Sequence, residues 1–254
     1  MLAFERRDQI LSHINTHKKV IIGEIALLFD VSEETIRRDL KKLEKDGLLT
    51  RFHGGATTNG HLINEEIPFQ TRNLSRVHEK QHIARHLAQL IKPGQTLFVD
   101  SSSTATEGMF ELLNQHITGL SIVTNSVSLL SDLRERDITV FSTGGELRGK
   151  SNSLVGGIAQ ASVKHYYGDV AVFGCKGLSL TAGVTESNEA EKQIKHHMAD
   201  QVKKVILLAD HSKFDQIAFV KLFELDRVDC VITDREPSPE WLALFEEKTI
   251  ELIY

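Results

Sequence analysis

The sequence predicts a two-part chain: a small, mainly helical unit closed by a hairpin, then a larger α/β unit with a mostly parallel sheet. Three observations predict it. Residues 31–40 read as an amphipathic helix with a basic outer face, and a glycine-bearing hairpin pattern follows at residues 48–56. From Glu79 onward, short apolar runs alternate with helical periods, which is the signature of a parallel sheet covered on both faces. Four of those runs end in polar or glycine-rich loops.

Taken in order, residues 4–16 place Ile10, Leu11 and Ile14 on one helical face. Val20-Ile21-Ile22 is a short strand or turn entry, and Gly23 to Phe29 a short helix with Ile25, Leu28 and Phe29 inward. After Asp30-Val31, Ser32 is suited to cap the next helix, because its oxygen accepts a free first-turn N–H. Glu33 and Glu34 lie where the helix dipole favours negative charge. Ile36, Leu40 and Leu43 form the inward stripe, whereas Arg37, Arg38, Lys41, Lys42 and Lys45 lie off it, and Gly47 is a stop signal. Two short helices joined by a tight turn make a helix-turn-helix. Leu48 to Ala56, with Gly54-Gly55, then supplies a wing. The pattern points to double-stranded DNA as a partner. Ser32, Thr35, Arg37, Arg38, Lys41 and Lys42 are the candidate contacts on the helix, and Arg51 and His53 those on the wing.

Residues 58–78 show no sustained period and read as a linker between residues 1–57 and residues 79–254. The α/β part then runs as a helix through Ile83, Leu87 and Leu90, a strand at 97–99, a helix at 106–115, a strand at 121–124, a helix at 127–134 and a strand at 138–141. A strand at 169–173, a helix at 186–200, strands at 204–209 and 228–233, a helix at 239–247 and a strand at 249–253 complete it.

Such a sheet binds ligands beyond the carboxyl ends of its strands. The loops found there are Asp100-Ser101-Ser102-Ser103-Thr104, Thr124-Asn125, Gly144-Gly145-Glu146 through Arg148 to Lys150, and Asp210 to Lys213. Hydroxyls and free N–H groups at helix starts suit an anion such as phosphate, and Arg148, Lys150 and Lys213 add charge-assisted bonds. Serine, threonine and aspartate also cap helices, which explains any one loop but not four together. The carboxylates Glu186, Glu189, Glu191 and Asp210 are the candidate bases, of which Glu189 and Asp210 are counted with the pocket.

Gly144 to Ser151 also satisfies the P-loop pattern G-x-x-x-x-G-K-[ST]. A P-loop must open a helix, however, and Gly156-Gly157 follows too soon, so nucleotide hydrolysis is not expected. His82 and His86 share a helical face, but Ile83 stands where a zinc-protease motif needs its acid.

Composition narrows the class further. No apolar run approaches the ~20 residues of a membrane span, and the N-terminal residues lack an apolar signal region, so a cytoplasmic protein without a membrane partner is expected. Cys175 and Cys230 are too few for a disulfide framework or a cysteine-rich zinc site. Of the net charge of −5, residues 1–57 contribute +1 from ten Lys/Arg and nine Asp/Glu, and the rest contributes −6. DNA binding must therefore rely on a placed basic face rather than on bulk charge.

The motif of Ser32 to Leu40 resembles the S-x-x-T-I-R-R-D-L helix signature of the DeoR family of bacterial transcriptional regulators. Arg51-Phe52-His53-Gly54-Gly55-Ala56 is similar to its R-x-H-G-G-A wing, and Thr143 to Arg148 and Asp210 to Phe214 resemble further family blocks. The resemblance covers essentially the whole chain. It implies a winged helix-turn-helix followed by a sensor domain of the phosphosugar isomerase and CoA transferase fold. It also implies a repressor of a carbohydrate-catabolic operon, a phosphorylated sugar or polyol as effector, a homodimer or homotetramer, no cofactor and no catalysis. Ser103-Thr104-Ala105 and Ala209 to Lys213 resemble phosphate-loop and A-D-x-S-K segments of ribose-5-phosphate isomerase. Where that enzyme carries the acids of D-G-A-D-E, this chain has Phe173-Gly174-Cys175-Lys176-Gly177. The alternative is an isomerase- or deaminase-like enzyme with an accessory winged helix. Relatives often carry D-x-G-T-T after the first sensor strand, whereas Asp100 to Thr104 here lacks that glycine.

Overall fold

The computed structural model describes residues 2–17, 19–45, 48–52, 54–57, 66–133 and 138–254. Gly47, His53, Arg134 and residues 58–65 of the expected linker lie outside the described residues. The chain divides into two compact units, residues 1–76 and 77–254.

The first unit contains α1 (Ala3–His17), β1 (Lys19–Ile21), α2 (Ile22–Leu28), α3 (Glu33–Lys45), β2 (Thr50–Phe52), β3 (Gly55–Thr57) and α4 (Phe69–Leu74). Its strands form an antiparallel sheet in the order β1-β3-β2, with Ala56 paired to both Val20 and Arg51. Ile10, Ile14, Val20, Ile25, Ile36, Leu40, Leu43, Leu49 and Ala56 make one buried core. One inward assignment is wrong. Leu28 is 59% exposed, and Ile22, Ile25 and Ala26 are the buried face of α2. The helix begins at Ile22, and counting from there puts Ile25, Ala26 and Phe29 on the core stripe but Leu28 off it. Within the segment read as a linker, α4 forms, and Phe69 is buried with the Arg72 guanidinium over its ring.

The second unit is a doubly covered parallel sheet. Its strands are β4 (Thr96–Val99), β5 (Ser121–Thr124), β6 (Thr139–Ser142), β9 (Gly168–Gly174), β12 (Val202–Leu208), β14 (Cys230–Ile232) and β15 (Glu251–Ile253). They lie in the order β15-β14-β12-β9-β4-β5-β6, every neighbouring pair parallel. Alternate residues enter opposite cores. Phe98, Ala171, Phe173, Val205 and Leu207 belong to one, and Leu97, Val99, Val172, Ile206 and Leu208 to the other. This is why the strands read as continuous apolar runs. The helices are α5 (Val77–Leu90), α6 (Ser103–Asn114), α7 (Val127–Asp132), α8 (Gly156–Val163), α9 (Glu189–Ala199) and α10 (Pro239–Glu247).

Two features were not predicted. β7 (Glu146–Arg148) and β8 (Ser153–Val155) form an antiparallel hairpin. β10 (Gly177–Ser179), β11 (Gly183–Glu186) and β13 (Val220–Phe223) form a small antiparallel sheet. The hairpin settles the P-loop match, because the segment passes through a β-turn between two strands and opens no helix. The expected helix from Glu186 begins later, since Glu186 ends β11.

Candidate functional site

The chain builds outward from β4 through β5 to β6, then returns and builds the other way through β9, β12, β14 and β15. Its switch point lies between β4 and β9, the position at which open parallel sheets of this kind bind ligands. Along this edge the loops after β12, β9, β4, β5 and β6 follow one another, so the candidate loops beginning at Asp210, Asp100, Thr124 and Gly144 share one edge.

Asp100 directly follows β4 and is fully buried. Its Oδ2 accepts the Gly174 N–H at 3.1 Å and lies 2.7 Å from Lys195 Nζ. Lys195 also donates to the Gly174 carbonyl at 2.9 Å and to Glu186 Oε2 at 2.6 Å, which uses all three ammonium protons. Burial works against the charge on Lys195, but the carboxylates of Asp100 and Glu186 outweigh it and hold the ammonium charged. Gly174 is required for this closeness, because a Cβ there would meet Ser102 Cβ and Oγ at 2.6 Å.

Ser102 caps α6, its Oγ accepting the Ala105 N–H at 3.1 Å, while Ser103 and Thr104 are buried in the first turn. Thr124 Oγ1 donates to the Val99 carbonyl at 2.7 Å and accepts the Ser126 N–H at 3.0 Å. Asn125 Nδ2 donates to the Leu154 carbonyl at 3.2 Å, which brings β8 over the end of β5. Asp210 Oδ1 accepts the Ser212 N–H at 3.0 Å, and Lys213 Nζ lies 3.9 Å from Asp210 Oδ2. Glu146 and Lys150 are exposed on the hairpin, and Arg148 is half-buried.

Glu189 is not gathered into the site. It is exposed, and its carboxylate accepts Gln193 Nε2 at 2.6 Å and pairs with Lys192 along its own helix. The inward carboxylate is Glu191, whose two oxygens accept from Ser101 Oγ (3.3 Å) and Ser153 Oγ. Burial raises its pKa, against the Ser153 hydrogen bond that lowers it. The buried stripe of α9 is Glu191, Ile194, Lys195, Met198 and Ala199. Two opposite charges at i and i+4 on an otherwise apolar stripe were the legible signal for Lys195 and Glu191.

Cys175 stands among the residues that replace the isomerase acids, and burial pushes its thiol up to about 12, leaving it neutral. His82 and His86 have their Nε2 atoms 3.1 Å apart, and no cluster of three or more metal-ligating groups occurs among the described residues.

In the first unit, Ser32 caps α3 as expected, its Oγ accepting the Thr35 N–H at 3.2 Å. Arg38, Lys41 and Lys42 are exposed. Arg37 is exposed too, paired with Glu33 Oε2 at 2.9 Å. Asp39 faces inward and binds Arg6 Nε at 2.6 Å, which joins α3 to α1. Arg51 is held at the wing by Glu44, through its own N–H (3.1 Å) and its Nε (2.7 Å). Those bonds keep the Glu44 carboxyl below its usual range.

A winged helix-turn-helix, together with an α/β unit whose polar groups converge at a switch point, defines a DNA-binding regulator with a sensor. Residues 6–61 match the DeoR-like helix-turn-helix domain, and residues 75–235 match the DeoR C terminal sensor domain. The chain belongs to the DeoR family of transcriptional regulators. It is 35% identical over 253 residues to the uncharacterized HTH-type transcriptional regulator YulB of Bacillus subtilis, covering 99% of this chain and 96% of that one. It is 32% identical to the HTH-type transcriptional repressor GlcR of Bacillus subtilis, covering 98% and 95% of the two chains. It is 30% identical to the glycerol-3-phosphate regulon repressor of Escherichia coli, covering 98% and 97%. Among solved structures, eIF2B delta from Chaetomium thermophilum superposes with a TM-score of 0.49 at 17% identity, over 82% of this chain and 65% of that one. Ribose 5-phosphate isomerase A from Methanocaldococcus jannaschii gives a TM-score of 0.41 at 17% identity, over 55% of each chain. No helix among the described residues is long and apolar enough to cross a membrane.

Proposed function

We propose that this regulator is a repressor of a carbohydrate-catabolic operon, released or engaged by a phosphorylated sugar or polyol. Residues 1–57 bind operator DNA, residues 58–78 link, and residues 79–254 sense the effector and pair copies of the chain. The observation that carries the sensor reading is the convergence of five loops on the switch-point edge. The hydroxyls of Ser103 and Thr104 at the start of α6 would take the phosphate. The name of one relative, the glycerol-3-phosphate regulon repressor, supports the effector class. On the DNA side, Thr35, Arg37, Arg38 and Lys41 would face the major groove, with Lys42, Arg51 and His53 on flanking phosphates. Two copies would read a two-fold site at a spacing of about one helical turn. The enzyme alternative gains nothing from a neutral Cys175 and a fully engaged Lys195 at the place of the missing acids.

The test is gel retardation on the DNA upstream of the chain's own gene, at several salt concentrations, with and without a panel of sugar phosphates. A steep loss of affinity with salt and a shift by one phosphate ester are expected. Salt-independent retention would remove the DNA reading, and catalytic turnover of an ester would favour the enzyme.

A further inference from the structure

Glu191 is almost completely buried, and each of its oxygens is turned to a serine hydroxyl on a different loop. Ser101 belongs to the loop after β4, and Ser153 to the hairpin strand laid across the sheet edge. Ser153 Oγ is in turn 2.8 Å from Ser151 Oγ. Ser151 also bonds the carboxylate, so three serine hydroxyls converge on one buried acid.

Asn125 supplies the sign of an absent donor. It is fully buried, and its main-chain carbonyl accepts the Leu154 N–H at 2.8 Å while Nδ2 donates to the Leu154 carbonyl. Its Oδ1 is buried with no hydrogen-bond partner. Leu154 adjoins Ser153, and Asn125 follows Thr124, which is in register with Val99 on β4. The lone acceptor therefore sits on the residue next to Ser126, which bridges Ser153, one of the serines on Glu191. A buried amide oxygen without a donor is costly, which makes a donor-bearing ligand favourable there.

The chemistry of this cluster selects the ligand group. Asn125 Oδ1 accepts only, and Ser101 and Ser153 already give their protons to Glu191, so what remains here is acceptors. An anion has no proton to give them. A hydroxyl donates and accepts at once.

We propose that Glu191 and Asn125, with Ser101 and Ser153, form a subsite for the hydroxyl groups of the effector's carbon chain, beside the start of α6 that takes its phosphate. This rests on the reading that the edge binds a phosphorylated sugar or polyol. Glu191 and Asn125 then determine specificity, because they distinguish a polyhydroxylated ester from bare phosphate.

The experiment is calorimetric titration of the full-length protein with inorganic phosphate, glycerol 3-phosphate, glucose 6-phosphate and fructose 6-phosphate. Wild type, Glu191→Gln, Asn125→Ala and Ser101→Ala are compared, each first checked for cooperative unfolding. The expected result is that the ratio of ester to phosphate affinity falls by about tenfold or more in Glu191→Gln and Asn125→Ala. Ser101→Ala removes one hydroxyl and supplies the same comparison if either of the others fails to fold. An unchanged ratio in the folded variants overturns the subsite. A wild-type protein that binds no ester at all overturns the effector reading itself, which is a different outcome.

Discussion

Lys195 Nζ lies 2.7 Å from Asp100 Oδ2, with the two side chains 4% and 0% exposed. The pair spans the switch point, since Asp100 directly follows β4 and also accepts the N–H of Gly174, the last residue of β9. Through Glu186 the same ammonium reaches the end of β11. One side chain on α9 thus fixes the two central strands and the small antiparallel sheet to each other. The loop that begins at Asp100 inherits its position from that contact.

Lys195→Met is expected to destabilise the second unit by about 3–5 kcal/mol, because it leaves two buried carboxylates without their shared cation. The raised pKa of Lys195 means that its contribution is fully present below the unfolded lysine value and is lost only as pH rises above that value. The loss should therefore be complete at neutral pH in a urea titration. A loss below about 1 kcal/mol would place the pair in water-like surroundings. Pairing Lys195→Met with Asp100→Asn should recover part of the loss, because one stranded charge is then gone.

Asp39→Ala is expected to abolish DNA binding by unfolding the first unit rather than by removing a DNA contact. The Arg6–Asp39 pair is buried, so its loss also costs about 3–5 kcal/mol. Hydrogen exchange would then lose protection in α1 and α3 while the second unit keeps its own. A variant that stays fully protected yet binds no DNA would assign Asp39 a contact instead.

The sequence made the parallel sheet legible because strands buried on both faces must be apolar throughout. It made α3 legible because a cap, a stripe and a charged face coincide there. The β7–β8 hairpin and the small antiparallel sheet were not legible, because strands of three or four residues carry too few alternations to show a period. Gly145 shows the same limit. It read as a phosphate-binding glycine, yet its φ is +109° and a Cβ would meet the Val155 carbonyl at 2.4 Å, so the hairpin alone accounts for it. Glu191 was passed over for Glu189 because adjacent acids at a helix start look alike until one is seen to be buried. Asp39 lay inside the recognised motif with no role until Arg6 was found beside it.

Asp234 gives a pH signature. Burial works against its charge, but bonds from His211 outweigh it: Nδ1 lies 2.7 Å from Oδ2, and the main-chain N–H donates to Oδ1 at 2.6 Å. The net effect lowers its folded pKa, so its contribution is present above the unfolded aspartate value and is lost as pH falls through the folded value. Asp234→Asn should thus lower stability at neutral pH and flatten the acid limb of the stability curve below about pH 4. Thermal unfolding from pH 3 to 7 measures both. Parallel curves for the two proteins would remove His211 as the cause.

The row of cations on α3 is partly offset by its own acids, and this predicts a gain as well as a loss. Arg37 and Glu33 are each about half exposed, at 51% and 55%, so their bond contributes little to folding. Glu33→Gln should leave stability nearly unchanged while freeing the Arg37 guanidinium and removing a charge that repels phosphate. Non-specific DNA affinity should rise, and the slope of log affinity against log salt should steepen by up to about one. Arg37→Ala should do the reverse if Arg37 meets phosphate, reducing the slope by about one on every sequence. If it meets a base edge, the loss is about 1–3 kcal/mol and falls on the operator alone. Measuring both variants on operator and on random duplex separates these cases. Unchanged affinity of Arg37→Ala for both duplexes would take α3 out of the DNA interface.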